Sequence, residues 1–97
     1  MRVRYTPRAR ADLEAIFSYL DARNPAAAVA VKRAIEQAAA ALALAPYIGV
    51  VVDRSPEFRG VRAAHYPYRL YYRIRDNEVW IVHVRHTSRR RWRGEGD

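Results

Sequence analysis

The sequence predicts an α+β domain: an antiparallel helix pair on a mainly antiparallel four-stranded sheet, in the order β-α-α-β-β-β. Three observations predict it. Two apolar stripes at helical spacing are separated only by Asn24-Pro25. Tyr68 to Arg75 alternates without a break, with Leu70, Tyr72 and Ile74 on one face and Arg69, Tyr71, Arg73 and Arg75 on the other. Val79 to His86 repeats the period of two after the turn Asp76-Asn77-Glu78. At 97 residues the chain is read as one domain, 1–97. Residues 87–97 form a basic tail whose end is expected to be flexible, because Gly94 and Gly96 interrupt it.

The elements follow in order. Arg2 to Tyr5 reads as a short strand. Thr6 is a helix N-cap and Pro7 sits in the first turn, where its missing N–H costs nothing. Leu13, Ile16, Phe17 and Leu20 then form one stripe of a helix over about 7–22, with Asp12, Glu14, Asp21 and Arg23 off it. Asn24-Pro25 repeats the cap signal and opens an alanine-rich helix to about Leu44, with Val31, Ile35, Ala38, Leu42 and Ala45 as its buried stripe. So short a link makes the two helices a hairpin. Pro46 and Gly49 end the second helix. Residues 46–60 are read as a loop, with Val50-Val51-Val52 extended within it. Three strands close the chain: Gly60 to Tyr66, Tyr68 to Arg75 and Val79 to His86. The last is expected to put Trp80, Val82, Val84 and His86 on the core face and to leave His83 exposed. The first strand joins the sheet because the helix hairpin returns the chain beside it.

Composition narrows the function. There is no cysteine, hence no disulfide framework and no thiolate metal site. The three histidines, His65, His83 and His86, are too few and too ill-spaced for a metal centre, so no metal and no cofactor is expected. No apolar run approaches the ~18 residues of a membrane span. The N-terminus enters structured sequence at once, without the look of a signal peptide. A cytoplasmic protein is the plain expectation. The charge is more telling: 18 Lys and Arg stand against 10 Asp and Glu, net +8, and Lys32 is the single lysine. A guanidinium-rich surface attracts phosphate or carboxylate partners.

The arginines have a pattern. Arg69, Arg73 and Arg75 share one strand face, and Arg85, Arg89, Arg90, Arg91 and Arg93 crowd the segment after it. If the last two strands pair, both sets converge on one side of the sheet. An ordinary solvated face is the bland alternative. Self-repulsion among so many cations favours a binding surface instead, made of Arg69, Arg73, Arg85, Arg89, Arg90, Arg91 and Trp92. Tyr71 and Trp92 lie among these arginines, where aromatics stack on bases or anchor a protein partner. Apolar positions beyond what the core needs, Phe17, Tyr19 and Tyr71 with the sheet edge, are candidates for a partner helix laid in a groove.

The chain resembles the RelE/ParE toxins of type II toxin–antitoxin systems over nearly its whole length. The segments that carry the likeness are Arg8-Ala9-Arg10-Ala11-Asp12-Leu13-Glu14-Ala15-Ile16, Tyr68-Arg69-Leu70-Tyr71-Tyr72-Arg73-Ile74 and Ile81-Val82-His83-Val84-Arg85-His86, together with the segment His83 to Trp92. The resemblance implies the fold above and a cognate antitoxin, acidic and folding on binding, in a hetero-oligomer with the toxin. It implies one of two activities. The ParE branch poisons DNA gyrase without catalysis of its own. The RelE branch cleaves messenger RNA on the ribosome.

Cleavage needs a base for the ribose hydroxyl, an acid for the leaving oxygen and cations for the phosphorane. By resemblance, Arg69 stands where the family places a phosphate-binding arginine. Arg62 stands where some relatives have lysine, and Arg89 follows the last strand suitably. His86 is the candidate proton shuttle, with His83 and the loop carboxylate Glu57 behind it. The C-terminal region has no tyrosine, however, and the indole of Trp92 cannot serve as the acid. That departure favours the ParE-like branch. A non-toxic corepressor acting with its antitoxin is a third reading.

Overall fold

The computed structural model describes residues 1–95, in which two helices pack on one face of a sheet. β1 (Arg2–Tyr5) leads into α1 (Pro7–Arg23) and α2 (Pro25–Leu44). Then come β2 (Val50–Val52), β3 (Ser55–Arg62), β4 (Tyr68–Arg75) and β5 (Glu78–His86), and the sheet runs β1-β5-β4-β3-β2. β1 lies parallel to β5; every other neighbouring pair is antiparallel.

The helix starts are the ones the caps predict. The Thr6 side chain accepts the Ala9 N–H, and the Asn24 side chain accepts the Ala27 N–H. The helices cover one sheet face. Val31, Ile35, Ala39 and Leu42 of α2 pack with Leu70 and Tyr72 of β4 and Val79, Ile81 and Val84 of β5. Leu13, Ile16, Phe17 and Leu20 of α1 close the side of that core. The loop into β2 is tied down by Tyr72, whose hydroxyl donates to Pro46 O (2.7 Å) and accepts the Gly49 N–H (2.9 Å). A Cβ on Gly49 would lie 2.6 Å from that hydroxyl, which is why the chain passes there as glycine.

The sheet has five strands, one more than the sequence predicts. Residues 50–60 form a hairpin where a loop is expected, because Val50, Val51 and Val52 pair with Gly60, Arg59 and Ser55 of β3 across the turn at Asp53-Arg54, with Arg54 at φ 68°. Pro56 and Gly60 hide this strand from a reading of propensities. In turn, residues 63–67 are a turn and not a continuation of strand to Tyr66.

A second difference matters more for the site. Tyr71 pairs with His83, but Tyr72 pairs with Ile81, so Val82 is an extra residue in β5. This bulge shifts the alternation. Val79, Ile81 and Val84 face the helices, while Trp80 and Val82 face the other way, into a second cluster with Val52, Phe58, Tyr71 and Trp92. The predicted single core face of Trp80, Val82, Val84 and His86 is thus split in two. The tail, expected to be a polar extension, folds back over this outer face and buries Trp92 completely. The expectation for its far end concerns residues 96–97, which lie outside the described residues.

Candidate functional site

The outer face of the sheet carries two neighbouring structures, an aromatic cluster and an arginine field. The cluster is centred on Trp92. Its ring lies 5.0 Å from Phe58, 5.0 Å from Tyr71 and 5.5 Å from His83, centroid to centroid. Backbone contacts clasp it there. The Trp92 indole N–H donates to Glu95 O (2.7 Å), Arg8 donates to the same oxygen (3.2 Å), and the Ser55 hydroxyl donates to Arg93 O (2.5 Å). Trp92 and Tyr71 are therefore largely covered, with Tyr71 only 5% exposed. The expectation that Trp92 anchors a target and Tyr71 an antitoxin from open positions is corrected: each has an aromatic neighbour within the chain, and the apolar ring gains more by burial there than by facing water.

His83 is the second correction. Expected to be exposed, it is 3% exposed, because the bulge turns it under Trp92. Its Nδ1 lies 2.5 Å from an Asp12 carboxylate oxygen, and its Nε2 lies 3.2 Å from Arg8 Nη2. Burial pushes the imidazole pKa below its usual value; the Asp12 bond and charge oppose that shift without cancelling it, and Arg8 and Arg85 add to it. A neutral ring, donating to Asp12 and accepting from Arg8, fits these partners. Asp12 also accepts the Val84 N–H (2.9 Å), and Thr6 donates to Val82 O (3.2 Å). The edge of β5 beyond the short β1 is thus closed by α1 side chains, which explains an acid off the apolar stripe.

The arginine field lies beside the cluster. Arg62 on β3, Arg69 on β4 and Arg85 on β5 are direct cross-strand partners, so three cations form one row. Like charges opposed in this way destabilise a sheet. Arg62 is braced by donating to Tyr66 O and His65 O. Arg85 keeps a buried Nε with no hydrogen-bond partner. The tail supplies more cations: Arg69, Arg85, Arg89, Arg90 and Arg91 line a depression of about 200 Å³ whose described lining has no carboxylate. A second depression, about 320 Å³, runs from Arg62, Arg69 and Arg91 to the edge strand β2. Gly60 lines this second depression, and a Cβ there would meet Tyr71 at 3.2 Å and Arg69 at 3.3 Å.

The predicted site residues divide accordingly. Arg62, Arg69, Arg85, Arg89, Arg90 and Arg91 come together. Arg73 does not; its guanidinium lies over Phe58 (5.4 Å), in a groove on the far side of Trp92. His86 lines the smaller depression with these arginines; it packs edge-on against Tyr68, and its Nδ1 accepts the Ser88 N–H, so the ring also serves the turn that starts the tail. Phe17 is half-buried against the core, and Tyr19 is 56% exposed under Arg23 (3.8 Å). Tyr71, read from the sequence as lying among the arginines on the strand face of Arg69, lines both depressions. Sequence reading missed the exposed apolar run Leu44, Tyr47, Ile48, Val50 and Val51, from the end of α2 into β2.

Among the described residues no three His, Asp or Glu side chains are grouped to hold a metal, and no helix is long and apolar enough to cross a membrane. The sequence profile described as "ParE toxin of type II toxin-antitoxin system, parDE" matches residues 3–91. No curated protein matches the chain. Among solved structures, it is similar to a chain of the chromosomal ParDE toxin–antitoxin system of Pseudomonas aeruginosa, with TM-score 0.75, 22% identity and coverage of 89% of this chain and 95% of that one. It is also similar to a chain of the RelBE2 toxin–antitoxin complex of Mycobacterium tuberculosis, with TM-score 0.60, 31% identity and 88% of each chain covered. With the profile spanning nearly its whole length, the chain belongs to the ParE toxin family of type II toxin–antitoxin systems.

Proposed function

We propose that this protein is a cytoplasmic toxin that arrests growth by binding DNA gyrase through its arginine field, and that an acidic antitoxin neutralises it. The observation that carries the binding reading is the composition of the field. Arginines from three strands and the tail converge on a surface whose lining imidazole, His86, packs edge-on against Tyr68 and accepts the Ser88 N–H through Nδ1, while His83 is held between Asp12 and Arg8 and covered by Trp92. Guanidinium groups hold anions well and make poor bases. Exposed Val50 and Val51, on an edge strand with one unpaired side and preceded by exposed Leu44, Tyr47 and Ile48, are suited to an antitoxin segment that adds a strand.

Expression of the protein alone, and then with the product of the neighbouring small reading frame, tests this reading. Filamentation and SOS induction, relieved by co-expression, are the expected results. Rapid loss of translation with cleaved messages would instead favour ribosome-dependent ribonuclease action. One observation supports that second reading: Tyr71 lines the same depressions as Arg62, Arg69 and Arg91, which gives the cations a phenol for a neighbour. Tyr71→Phe separates the two, since it removes a proton donor and leaves the arginine field intact. Absence of any growth effect points to a corepressor.

A further inference from the structure

A groove on the outer face lies apart from the arginine field and shares none of its lining. It has a volume of about 770 Å³ and runs between the β1–α1 junction, Thr6-Pro7-Arg8, and the far ends of β4 and β5. Val82 and Phe58, both nearly covered, form its floor, and the half-exposed Trp80 stands at its side. Among the described residues, Arg73, Arg75 and Asp76 line one side of it, and Arg8, which is engaged with Glu95 O and His83, lines the other. Arg4 holds the Trp80 ring at 5.2 Å and is itself paired with Glu78 at 3.4 Å, so the indole is fixed without adding free charge.

An apolar floor inside a cationic rim fits a large apolar side chain whose neighbours are carboxylates. A second copy of this chain is a poor occupant, because two surfaces of net charge +8 repel. We propose that this groove seats an apolar anchor residue within an acidic segment of the antitoxin. The proposal rests on the reading of an antitoxin partner given above. It adds a second contact region, on the sheet face away from the helices and distant in sequence from the β2 edge.

The test uses the full chain, isotope-labelled for NMR, with the synthetic peptide Glu-Asp-Leu-Phe-Glu-Asp as probe. Saturable shifts of the Trp80 indole N–H and the Val82 and Arg73 amides are expected. Replacing Leu and Phe of the peptide by Ala should weaken binding about 10-fold or more, as should replacing its acids by amides. The double variant Arg73→Gln, Arg75→Gln should lose affinity comparably. The idea is overturned by unmoved Trp80, by equal binding of the Ala peptide, or by shifts confined to Arg69, Arg85 and Arg91. Co-purification with the neighbouring frame's product keeps the two readings distinct. If the unaltered toxin forms no complex, the antitoxin reading fails and the occupant's identity with it, while the peptide still reports on the groove. If the complex forms and Trp80→Ala and the double arginine variant bind as tightly as the unaltered chain, the groove fails alone.

Discussion

The two faces of one sheet are built on different rules. The helix-side face is mainly aliphatic and local: β4 and β5 offer Leu70, Tyr72, Val79 and Ile81 to a single α2 stripe. The outer face holds fewer apolar residues, and most of them are aromatic. It is closed not by a helix but by an eight-residue return of the tail from Ser88 to Glu95. Cations surround it on both sides. The first face supplies stability with little chemistry. The second buries one tryptophan and uses it as a platform on which repelling charges are assembled. Within one strand, β5, a single extra residue at Val82 allows both rules to operate.

The difference can be broken most severely at Trp92. Trp92→Ala should lower stability by about 3–5 kcal/mol, the usual cost of a large buried aromatic, as read by urea unfolding. A loss near zero would mean that the tail is not part of the fold. Asp12→Ala comes next. It strands the His83 Nδ1 and the Val84 N–H at the edge of β5, with an expected cost of about 1–3 kcal/mol. Thr6→Ala should cost about 1 kcal/mol, through the N-cap and the Val82 contact.

The arginines should behave in the opposite way. Arg69→Ala with Arg85→Ala removes an opposed like-charge pair, so stability should change by no more than about 0.5 kcal/mol. Growth arrest should nevertheless be lost. Replacing Arg89, Arg90 and Arg91 together by Ala, with Trp92 kept, tests the tail without unfolding it. Full toxicity in both variants would sink the arginine field as the active surface.

The smallest effect is a pH slope. The His83 pKa is lowered in the folded state, so the unfolded chain binds more protons as pH falls below about 6.5, the ordinary imidazole value. The stability His83 provides is complete above that pH and is lost as pH falls towards the depressed folded value. His83→Gln should flatten this part of the urea-midpoint profile. An unchanged slope would show that the imidazole is not shielded from solvent.

Much of the fold was legible because its signals are local. Thr6-Pro7 and Asn24-Pro25 act within one helical turn, and the Tyr68–Arg75 alternation needs no partner to be read. What escaped was non-local or a matter of phase. Strand β3 passes through Pro56 and Gly60, each of which reads as a break. The bulge leaves no mark in Val82-His83, since its cause is the pairing with β4. His83 and Asp12 are 71 residues apart, so neither reveals the other. The convergence of Arg69 with Arg85 and the tail was legible from strand pairing alone. The burial of Trp92 was not, because a tail of arginines and glycines has the composition of a solvated one.

The clasp on the tail holds main-chain oxygens: Ser55 takes Arg93 O, and Arg8 and the Trp92 indole take Glu95 O. Apart from the Trp92 ring, Gly94 at φ 89° and the Glu95 carboxylate that accepts the Arg93 N–H, it reads the path of the chain and not the side chains along it. Positions 89, 90, 91 and 93 can therefore be rewritten at little cost to folding. A lineage could change the target this surface recognises, or escape a mismatched antitoxin, by exchanging those side chains while the same tryptophan keeps the segment in place.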